Sequence, residues 1–592
     1  MLALLGAAGA GRAQPAPPAR YWVTLRDKNG VSFQPEQYFT PAARARRARQ
    51  HLPAADFTDR PVRADYLAQV HASVDTLTLV SRWFNAVACR ATAAQAAALR
   101  RLPGVLRVEA WPLPADRSAA ARAPRGTHRA EANQLNATDY TLARHQTAYL
   151  GAELLRRAHL DGQGLRIAVL DVGFTGVDTH PAFAALRTAG RIVATHDFLK
   201  NQADVFRGGS HGTEVLGCLA GFLPPGERGQ PGNALGLAPG AAYLLARTEQ
   251  LHRERFAEEE AWLAAVEWAD REGADIINSS LAYTEQRYFP EDMNGRRSLI
   301  ARAANLAARK GMLVVSAAGN DGDDDWVRIG TPADADSALA VGGLDPETGL
   351  HLSFSSVGPT ADRRLKPDVS AFGAVLTTTP RGYERLEGTS FSSPLVAGLA
   401  ACTWQQHRTW SVMRLFRELR AAGELYPYYD YAHGYGHPQA AILLAENEAD
   451  ARPQEPAAVV PTFDFELNDS LVAVVLRPEA SVRPTYRLPL LADQPERQTL
   501  ARPAGPPAPS PDPAGPAPVG EEQPTDAPLL LPAGPDYPLY LYWHLADPRG
   551  VLHRYETRAV TQRLVLQVPR HLVRNGEVLR VHFRGYTGTY SE

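Results

Sequence analysis

The stretch Arg166-Ile-Ala-Val-Leu-Asp171-Val-Gly173 decides the fold, because an apolar run that ends in a carboxylate is typical of a buried strand. Strands that alternate with helices predict a mainly parallel, doubly wound α/β sheet with helices on both faces. Such a sheet binds ligands at the carboxyl ends of its strands, which is where Asp171 is expected. The predicted strands are 166–174, 242–248, 274–281, 312–318 and 338–343, with helical patterns between them such as 256–273 and 296–311.

Composition excludes several classes of protein for this chain of 592 residues. Lys and Arg number 62 against 64 Asp and Glu, and no basic domain stands out, so we expect no nucleic-acid partner. No apolar run reaches the ~18 residues of a transmembrane segment. The cysteines Cys89, Cys218 and Cys402 lack C-x-x-C spacing, which argues against a zinc cluster or a disulfide scaffold. Buried free thiols are favoured for Cys218 and Cys402, and a bridge between them is the alternative.

The N-terminal part of the chain divides into three segments. Residues 1–14 combine an apolar stretch with small residues and are interpreted as a signal peptide cleaved after Ala13, which indicates export. In 20–112, two strand–helix passes predict a small α+β, ferredoxin-like sandwich. Residues 113–150 are interpreted as a linker and activation region. One cluster in the small sandwich is expected to be the solvated face of a helix: Arg44, Arg46, Arg47 and Arg49.

The remainder of the chain divides into two domains. Residues 151–449 hold the α/β pattern. Residues 452–592 are β-rich at both ends and predict a β-sandwich domain. A proline-rich stretch at 501–540 interrupts this domain and is expected to be an extended or disordered insertion, because such a composition does not build a packed core.

Four short segments pair a reactive side chain with a backbone that could orient it. They are Asp171 after its strand, His211 in Gly209-Ser-His-Gly-Thr213, Asn320 after the apolar run from Met312, and Ser390 in Gly388-Thr-Ser-Phe-Ser-Ser-Pro394. Pro394 followed by an apolar run puts Ser390 at a helix N-terminus, whose partial positive charge favours a developing anion. Each residue alone also has a structural interpretation, such as a turn for Asn320 or helix capping for Ser390.

Taken together, the chain order Asp171, His211, Ser390, with Asn320 before the serine, resembles the subtilisin-like serine peptidases (subtilases, peptidase S8). The resemblance covers about 151–449 and implies a serine endopeptidase that acts through an acyl-enzyme. It implies that His211 is the general base, Asp171 its orienting carboxylate, Ser390 the nucleophile and Asn320 an oxyanion donor. Further segments that resemble the family are 236–241, 273–281, 354–359, 366–369 and 394–398.

The same resemblance implies a substrate-binding strand and pocket, with two departures from the family pattern. Val172 replaces a Thr or Ser whose hydroxyl could orient the carboxylate, and Ala282 and Tyr283 stand where Gly is usual. Neither departure removes a catalytic group. The residues implied to contact substrate are Ser280, Leu281, Ala282, Ala317, Ala318 and Gly319.

Residues 21–111 resemble the inhibitor I9-like propeptide of that family, above all in Trp83-Phe-Asn-Ala86. This implies a self-processing zymogen whose own propeptide is an intramolecular inhibitor and whose substrates are proteins or peptides. Together with the N-terminus, the resemblance also implies that the chain is secreted or periplasmic and of bacterial origin. The alternative is a catalytically silent subtilase-fold binding protein; an esterase fits poorly because no G-x-S-x-G elbow surrounds Ser390. We expect no metal ligands: the acidic loop 320–326 is interpreted as solvated, and structural calcium is the alternative.

Overall fold

The structure is a computed structural model. It describes residues 18–111, 125–130, 135–226, 229–250, 256–284, 287–445, 461–477, 540–560, 564–573 and 576–592. The predicted signal peptide, parts of the predicted linker and nearly all of the predicted insertion therefore lie outside the described residues.

The N-terminal domain is a βαββαβ sandwich, as the sequence predicts. Its sheet is antiparallel, with strand order β2-β3-β1-β4. Side chains alternate along β1, so that Tyr21 and Val23 pack under the helices of this domain while Trp22 faces the opposite way, toward the next domain. The elements are β1 (Ala19–Leu25), α1 (Pro41–Arg49), α2 (Ala64–His71), β2 (Thr76–Ser81), β3 (Ala86–Ala91), α3 (Ala93–Leu99) and β4 (Val105–Ala110).

The region predicted as a linker contains regular structure as well. Strand β5 (Arg125–Ala130) pairs antiparallel with Gly382–Glu387, and helix α4 (Ala137–Ala148) begins at Asn136, whose side chain accepts from the backbone N–H of Thr138 at 2.8 Å. Helix α5 (Ala152–Arg157) follows. The Ala- and Arg-rich composition did not reveal these elements because their partners lie far along the chain.

A sheet of seven parallel strands forms the centre of the molecule, as the alternating pattern predicts. Its strand order is β12-β11-β10-β9-β6-β8-β7. Every residue of β9, β10 and β11 is buried, as expected for strands covered on both faces. The strands are β6 (Arg166–Asp171), β7 (Ile192–Asp197), β8 (Ala242–Arg247), β9 (Ile276–Ser279), β10 (Leu313–Ala317), β11 (Ala338–Leu344) and β12 (Val369–Phe372).

Helices cover both faces of this sheet. Helices α6 (His211–Ala220) and α9 (Thr389–Gln406) share one apolar core with the sheet. Helices α7 (Phe256–Glu272) and α8 (Leu299–Arg309) share another core with the sheet and with Trp22 and Trp83 of the N-terminal domain. Further elements of this domain include the hairpin β13 (Ala374–Thr379) and β14 (Gly382–Glu387) and the helices α10 (Val412–Ala421) and α11 (Ala440–Leu444). A five-residue helix (Ala184–Thr188) and a pair of two-residue strands (Phe222–Leu223 and Asn233–Ala234) are also present.

The C-terminal strands form two antiparallel sheets around one apolar core, which agrees with the predicted sandwich. One sheet has the order β15-β16-β19 and the other β18-β17-β20-β21. The strands are β15 (Phe463–Leu467), β16 (Leu471–Leu476), β17 (Tyr540–Ala546), β18 (Leu552–Ala559), β19 (Leu564–Pro569), β20 (Val578–Phe583) and β21 (Tyr586–Ser591).

The arginine cluster on α1 is not a solvated face, and that prediction was wrong. Arg46 and Arg47 are buried, and Arg46 pairs with Asp270 of α7. Arg49 pairs with Asp275, and only Arg44 is exposed. The arginines are covered because Gly273, at φ +84°, lets α1 approach so closely that a Cβ there would lie 2.5 Å from the backbone nitrogen of Ala43. The cysteines Cys89, Cys218 and Cys402 are buried free thiols, which confirms the interpretation favoured for Cys218 and Cys402.

Candidate active site

Asp171 and His211 form a close pair at the carboxyl end of β6. Asp171 is the last residue of that strand and is fully buried, and His211 Nδ1 lies 2.7 Å from Asp171 Oδ1. The backbone N–H of Val172 donates to the same oxygen at 2.7 Å. The other oxygen, Oδ2, has no hydrogen-bond partner among the described residues. The carboxylate is therefore held through one oxygen, in keeping with the absence of a hydroxyl at Val172.

The surroundings of His211 favour its protonated form. Burial alone would lower its pKa, but the Asp171 carboxylate, its hydrogen bond and the acidic side chains of Glu214 and Glu249 outweigh burial and raise the pKa to about 9. Glu214 lies one helical turn after His211 and accepts from Ser210 Oγ at 3.0 Å. Burial raises the pKa of Glu214 itself.

Ser390 is the second residue of α9 and lies at the buried floor of the site, with 8% of its surface exposed. Its Oγ donates to the carbonyl oxygen of Ser280 at 3.1 Å, while Ser280 Oγ donates to the carbonyl oxygen of Ser390 at 2.8 Å. The second contact has a cause in the sequence: Pro394 has no N–H, so it cannot make the helical bond to the carbonyl four residues earlier, that of Ser390. Ser280 satisfies this oxygen instead.

Asn320 follows Gly319, whose φ is +119°, and is oriented by Thr389. Asn320 Oδ1 accepts from the backbone N–H and from the hydroxyl of Thr389, both at 2.9 Å. These contacts fix which end of the amide is nitrogen. Its Nδ2 lies 3.5 Å from the position that a Cβ would take on Gly388, two residues before Ser390. The amide donor is thus directed toward the helix N-terminus that bears the serine.

The structure brings the four predicted groups to one edge of the sheet. The His211 ring lies 6.0 Å from the ring of Phe391, the residue after Ser390, measured between centroids. Since Ser390 Oγ donates to the carbonyl of Ser280, its O–H bond has to turn away from that oxygen before it can donate to His211. Such rotation is ordinary, because hydrogen bonds between reacting groups often tighten only when substrate is bound.

The predicted substrate-binding residues lie at the end of β10 and just beyond β9 and β10, and Ser280 is hydrogen-bonded to Ser390. Ala317 and Ala318 are buried. The backbone N–H of Tyr283 donates to the carbonyl of Thr331 at 3.0 Å, and the backbone N–H of Thr331 donates back at 3.1 Å. These two bonds hold the end of the segment that carries Ser280, Leu281 and Ala282. The Tyr283 side chain is buried, and the Ala282 methyl packs against Gly330, so both departures from Gly are accommodated within the fold.

Two contributors to the site were missed by sequence analysis. Thr389 was seen only as part of the serine motif, although its hydroxyl orients Asn320. Glu214 was seen only as part of an apolar helix, although an acid one turn after a candidate base was a sequence signal.

Within the described residues no group of three or more His, Cys, Asp or Glu side chains could hold a metal ion. No helix in the described part of the chain is both long and apolar enough to cross a membrane.

Comparisons with known proteins identify the family to which the chain is similar. Residues 162–436 match the model of the Subtilase family, Peptidase S8, and residues 20–125 match the Peptidase S8 propeptide domain of Bacteroidota. The chain is 31% identical to Subtilisin DY of Bacillus licheniformis over 275 residues, which are 46% of this chain and 90% of that protein. It is 33% identical to a thermophilic serine proteinase of Bacillus sp. strain AK1 over 246 residues, 41% of this chain and 53% of that protein.

A solved structure is also similar. The crystal structure of a cold adapted subtilisin-like serine proteinase matches 47% of this chain and 88% of its own, with 22% identity and a TM-score of 0.36.

Proposed function

Because the chain belongs to the subtilase family of serine endopeptidases and carries a propeptide domain, we propose that it hydrolyses peptide bonds with Asp171, His211 and Ser390 as its catalytic triad. The observation that carries this proposal is the 2.7 Å contact between His211 Nδ1 and the buried Asp171 carboxylate. A contact of this kind holds the imidazole in the tautomer whose Nε2 can accept a proton.

In the proposed reaction, His211 Nε2 takes the hydroxyl proton of Ser390 while Oγ forms a bond to the carbonyl carbon of the substrate. Collapse of the tetrahedral intermediate breaks the C–N bond, and the imidazolium gives its proton to the leaving amine. Water then forms a bond to the acyl carbon while His211 takes one of its protons. The second tetrahedral intermediate collapses, the bond between that carbon and Ser390 Oγ breaks, the carboxylic acid product leaves, and His211 returns the proton to Oγ. Asp171 would hold the imidazole in place and stabilise the imidazolium.

The tetrahedral oxyanion would be bound by Asn320 Nδ2 and by the backbone N–H of Ser390. This role is supported by the two hydrogen bonds that Asn320 Oδ1 accepts from Thr389, because they leave Nδ2 to donate to the oxyanion. A donor fixed before reaction costs no reorganisation when the charge develops. The substrate backbone would lie along Ser280, Leu281 and Ala282 as an added strand, with Ala317, Ala318 and Gly319 lining the pocket.

We further propose that the chain is an exported, self-processing zymogen, with a signal peptide at 1–14, a propeptide at 20–112 and an activation region within 113–150. The peptidase domain would span 151–449 and the C-terminal domain 452–592. The match of 20–125 to a propeptide of this family supports intramolecular inhibition. Cys89 would then leave with the propeptide.

The test is the intact mass and N-terminal sequence of the wild type and of Ser390→Ala after incubation at neutral pH. Self-processing predicts that the wild type loses ~100–140 N-terminal residues, which is the combined length of a propeptide domain and its linker. The Ser390→Ala variant should stay whole. An active-serine phosphonate should label only the wild type. Absence of labelling, even after limited trypsin treatment to remove the propeptide, would contradict the proposed triad.

A further inference from the structure

A cavity of about 410 Å³ lies at the junction between the peptidase domain and the C-terminal strands. Its wall comes from the segment 363–368, from Arg420 of α10, and from Arg549 and Gly550 in the turn between β17 and β18. The lining residues Asp336 and Asp368 precede β11 and β12, so the cavity lies at the amino ends of the parallel strands. The candidate active site lies at the carboxyl ends. A ligand in this cavity would therefore not occupy the catalytic cleft.

The cavity carries an excess of positive charge. Its lining holds five cationic side chains and two carboxylates, a net charge of +3: Arg363, Arg364, Lys366, Arg420 and Arg549 against Asp336 and Asp368. Such a concentration within one concave wall focuses a positive potential on the space that it encloses.

Part of this charge is already neutralised by neighbours. Lys366 Nζ lies 2.6 Å from Asp368, and Arg364 pairs at 2.9 Å with Asp336 and with Asp362 beside the cavity. Arg420 Nε lies a longer 3.6 Å from Asp368.

The other two cations are available. In the part of the chain that the structure describes, no carboxylate lies within ion-pair distance of Arg363 or Arg549, both of which are exposed. Arginine presents a planar fork of N–H donors that matches the oxygens of phosphate, sulfate or carboxylate groups. One arginine comes from each domain, and both line the same cavity.

Three tyrosines complete the wall, and their rings are held in place. Tyr429 donates its hydroxyl to the carbonyl of Gly550 at 2.7 Å, and the hydroxyl of Tyr431 accepts from the backbone N–H of Leu552 at 3.1 Å. Tyr435 lies with its ring 5.7 Å from that of Tyr429, and the Arg420 guanidinium lies 5.0 Å from its centroid. Fixed aromatic faces pack well against a flat or ring-shaped ligand body.

We propose that this cavity binds an oxyanion ester, a phosphate or sulfate, carried on a sugar ring. The ester would lie between Arg363 and Arg549, and the ring would pack against the tyrosines. The size of the cavity suits one such group, because small-molecule sites span roughly 300–1,000 Å³. The proposal does not depend on the catalytic roles, since the two sites lie at opposite edges of the sheet.

The experiment is isothermal titration calorimetry on the full chain carrying Ser390→Ala, which prevents self-cleavage. The probes are glucose 6-phosphate, glucose 6-sulfate, inorganic phosphate and glucose. We expect one ester to bind saturably, more tightly than inorganic phosphate, and more weakly as salt is added. Comparison of the two esters identifies which oxyanion the site takes.

The double substitution Arg363→Gln and Arg549→Gln should weaken binding at least ~10-fold, because it removes both guanidinium groups proposed to pair with the ester. The matched control is Arg381→Gln, an exposed arginine in the turn between β13 and β14. Thermal melts without ligand show that all variants are folded. The proposal fails if neither ester binds with a Kd below ~10 mM, or if the double variant binds as well as the control. Equal affinity for inorganic phosphate and the sugar ester would overturn the part assigned to the tyrosines.

Discussion

Thr389 orients Asn320 through two hydrogen bonds. Its backbone N–H and its hydroxyl both donate to Asn320 Oδ1, each at 2.9 Å. The residue before the candidate nucleophile thus orients the candidate oxyanion donor. The two groups that would meet the substrate carbonyl are therefore linked through one residue, Thr389, at the start of α9.

Substitution at this contact should lower the rate of the chemical step. We expect Asn320→Ala to reduce kcat by ~10²–10³, the loss known for removal of such a donor in a subtilisin. Thr389→Val should cause a smaller loss in kcat, because the backbone N–H still holds Asn320 Oδ1. Thr389→Ser keeps the hydroxyl and is the control. Steady-state kinetics on a chromogenic peptide provide the measurement, and a rise in KM with kcat unchanged would contradict this role for either residue.

The pH dependence of activity should reflect the raised pKa of His211. General-base catalysis requires neutral imidazole, so kcat/KM should rise with pH through a midpoint near the pKa of about 9. Glu214→Gln removes one negative charge that stabilises the imidazolium but keeps an acceptor for Ser210. The midpoint should therefore move to lower pH. The control is the exposed Glu347→Gln; a Glu214→Gln midpoint that stays in place or rises is inconsistent with this electrostatic role.

The buried ion pair between Arg46 and Asp270 should make the propeptide contact sensitive to single substitutions. In full-length protein carrying Ser390→Ala, Arg46→Ala leaves Asp270 buried near Arg47 and Lys310 but without its closest partner. We expect this substitution to lower the free energy of unfolding by ~3–5 kcal/mol.

Arg44→Ala, on the same helix but exposed, is the matched control and should change stability by less than ~0.5 kcal/mol. Denaturant titration followed by tryptophan fluorescence suits the measurement, because Trp22 and Trp83 lie in the same interface core. If both variants unfold alike, the ion pair does not stabilise the interface.

The junction between the peptidase domain and the C-terminal domain should weaken in acid. His544 and His582 are buried, and burial lowers the pKa of each to about 4. Between pH 6.5 and 4 the unfolded chain binds protons that these folded imidazoles do not, so stability falls as pH falls through that window.

His433 opposes this trend: burial lowers its pKa, but the Asp430 carboxylate at 3.0 Å outweighs burial and raises it. Because the lowered pKa values of His544 and His582 cause the loss of stability in acid, His544→Gln and His582→Gln should each reduce the fall in thermal unfolding temperature between pH 7 and pH 5. The measurement is a set of thermal melts across that range. An unchanged slope in both variants would assign the acid sensitivity to other groups.

Sequence analysis predicted the features that are encoded locally. The strand that ends at Asp171, the helices that begin near His211 and Ser390, and the turn at Asn320 are each contained in a few residues, and the structure brings all four groups together. Sequence analysis could not predict contacts between distant segments of the chain. The burial of Arg46 depends on a helix more than two hundred residues away, and the wall of the cavity beside Arg363 is completed by Arg549 and Gly550 of another domain.

The order of strands in the C-terminal sandwich determines whether this domain stays together after the chain is cut. Strand β16 lies before residues 478–539, yet it pairs with β19, which lies after them, and both contribute to one apolar core. A single cut anywhere between 478 and 539 would therefore yield two polypeptides that remain associated. Such a nicked molecule would migrate as two bands after denaturation but elute as one species from a sizing column.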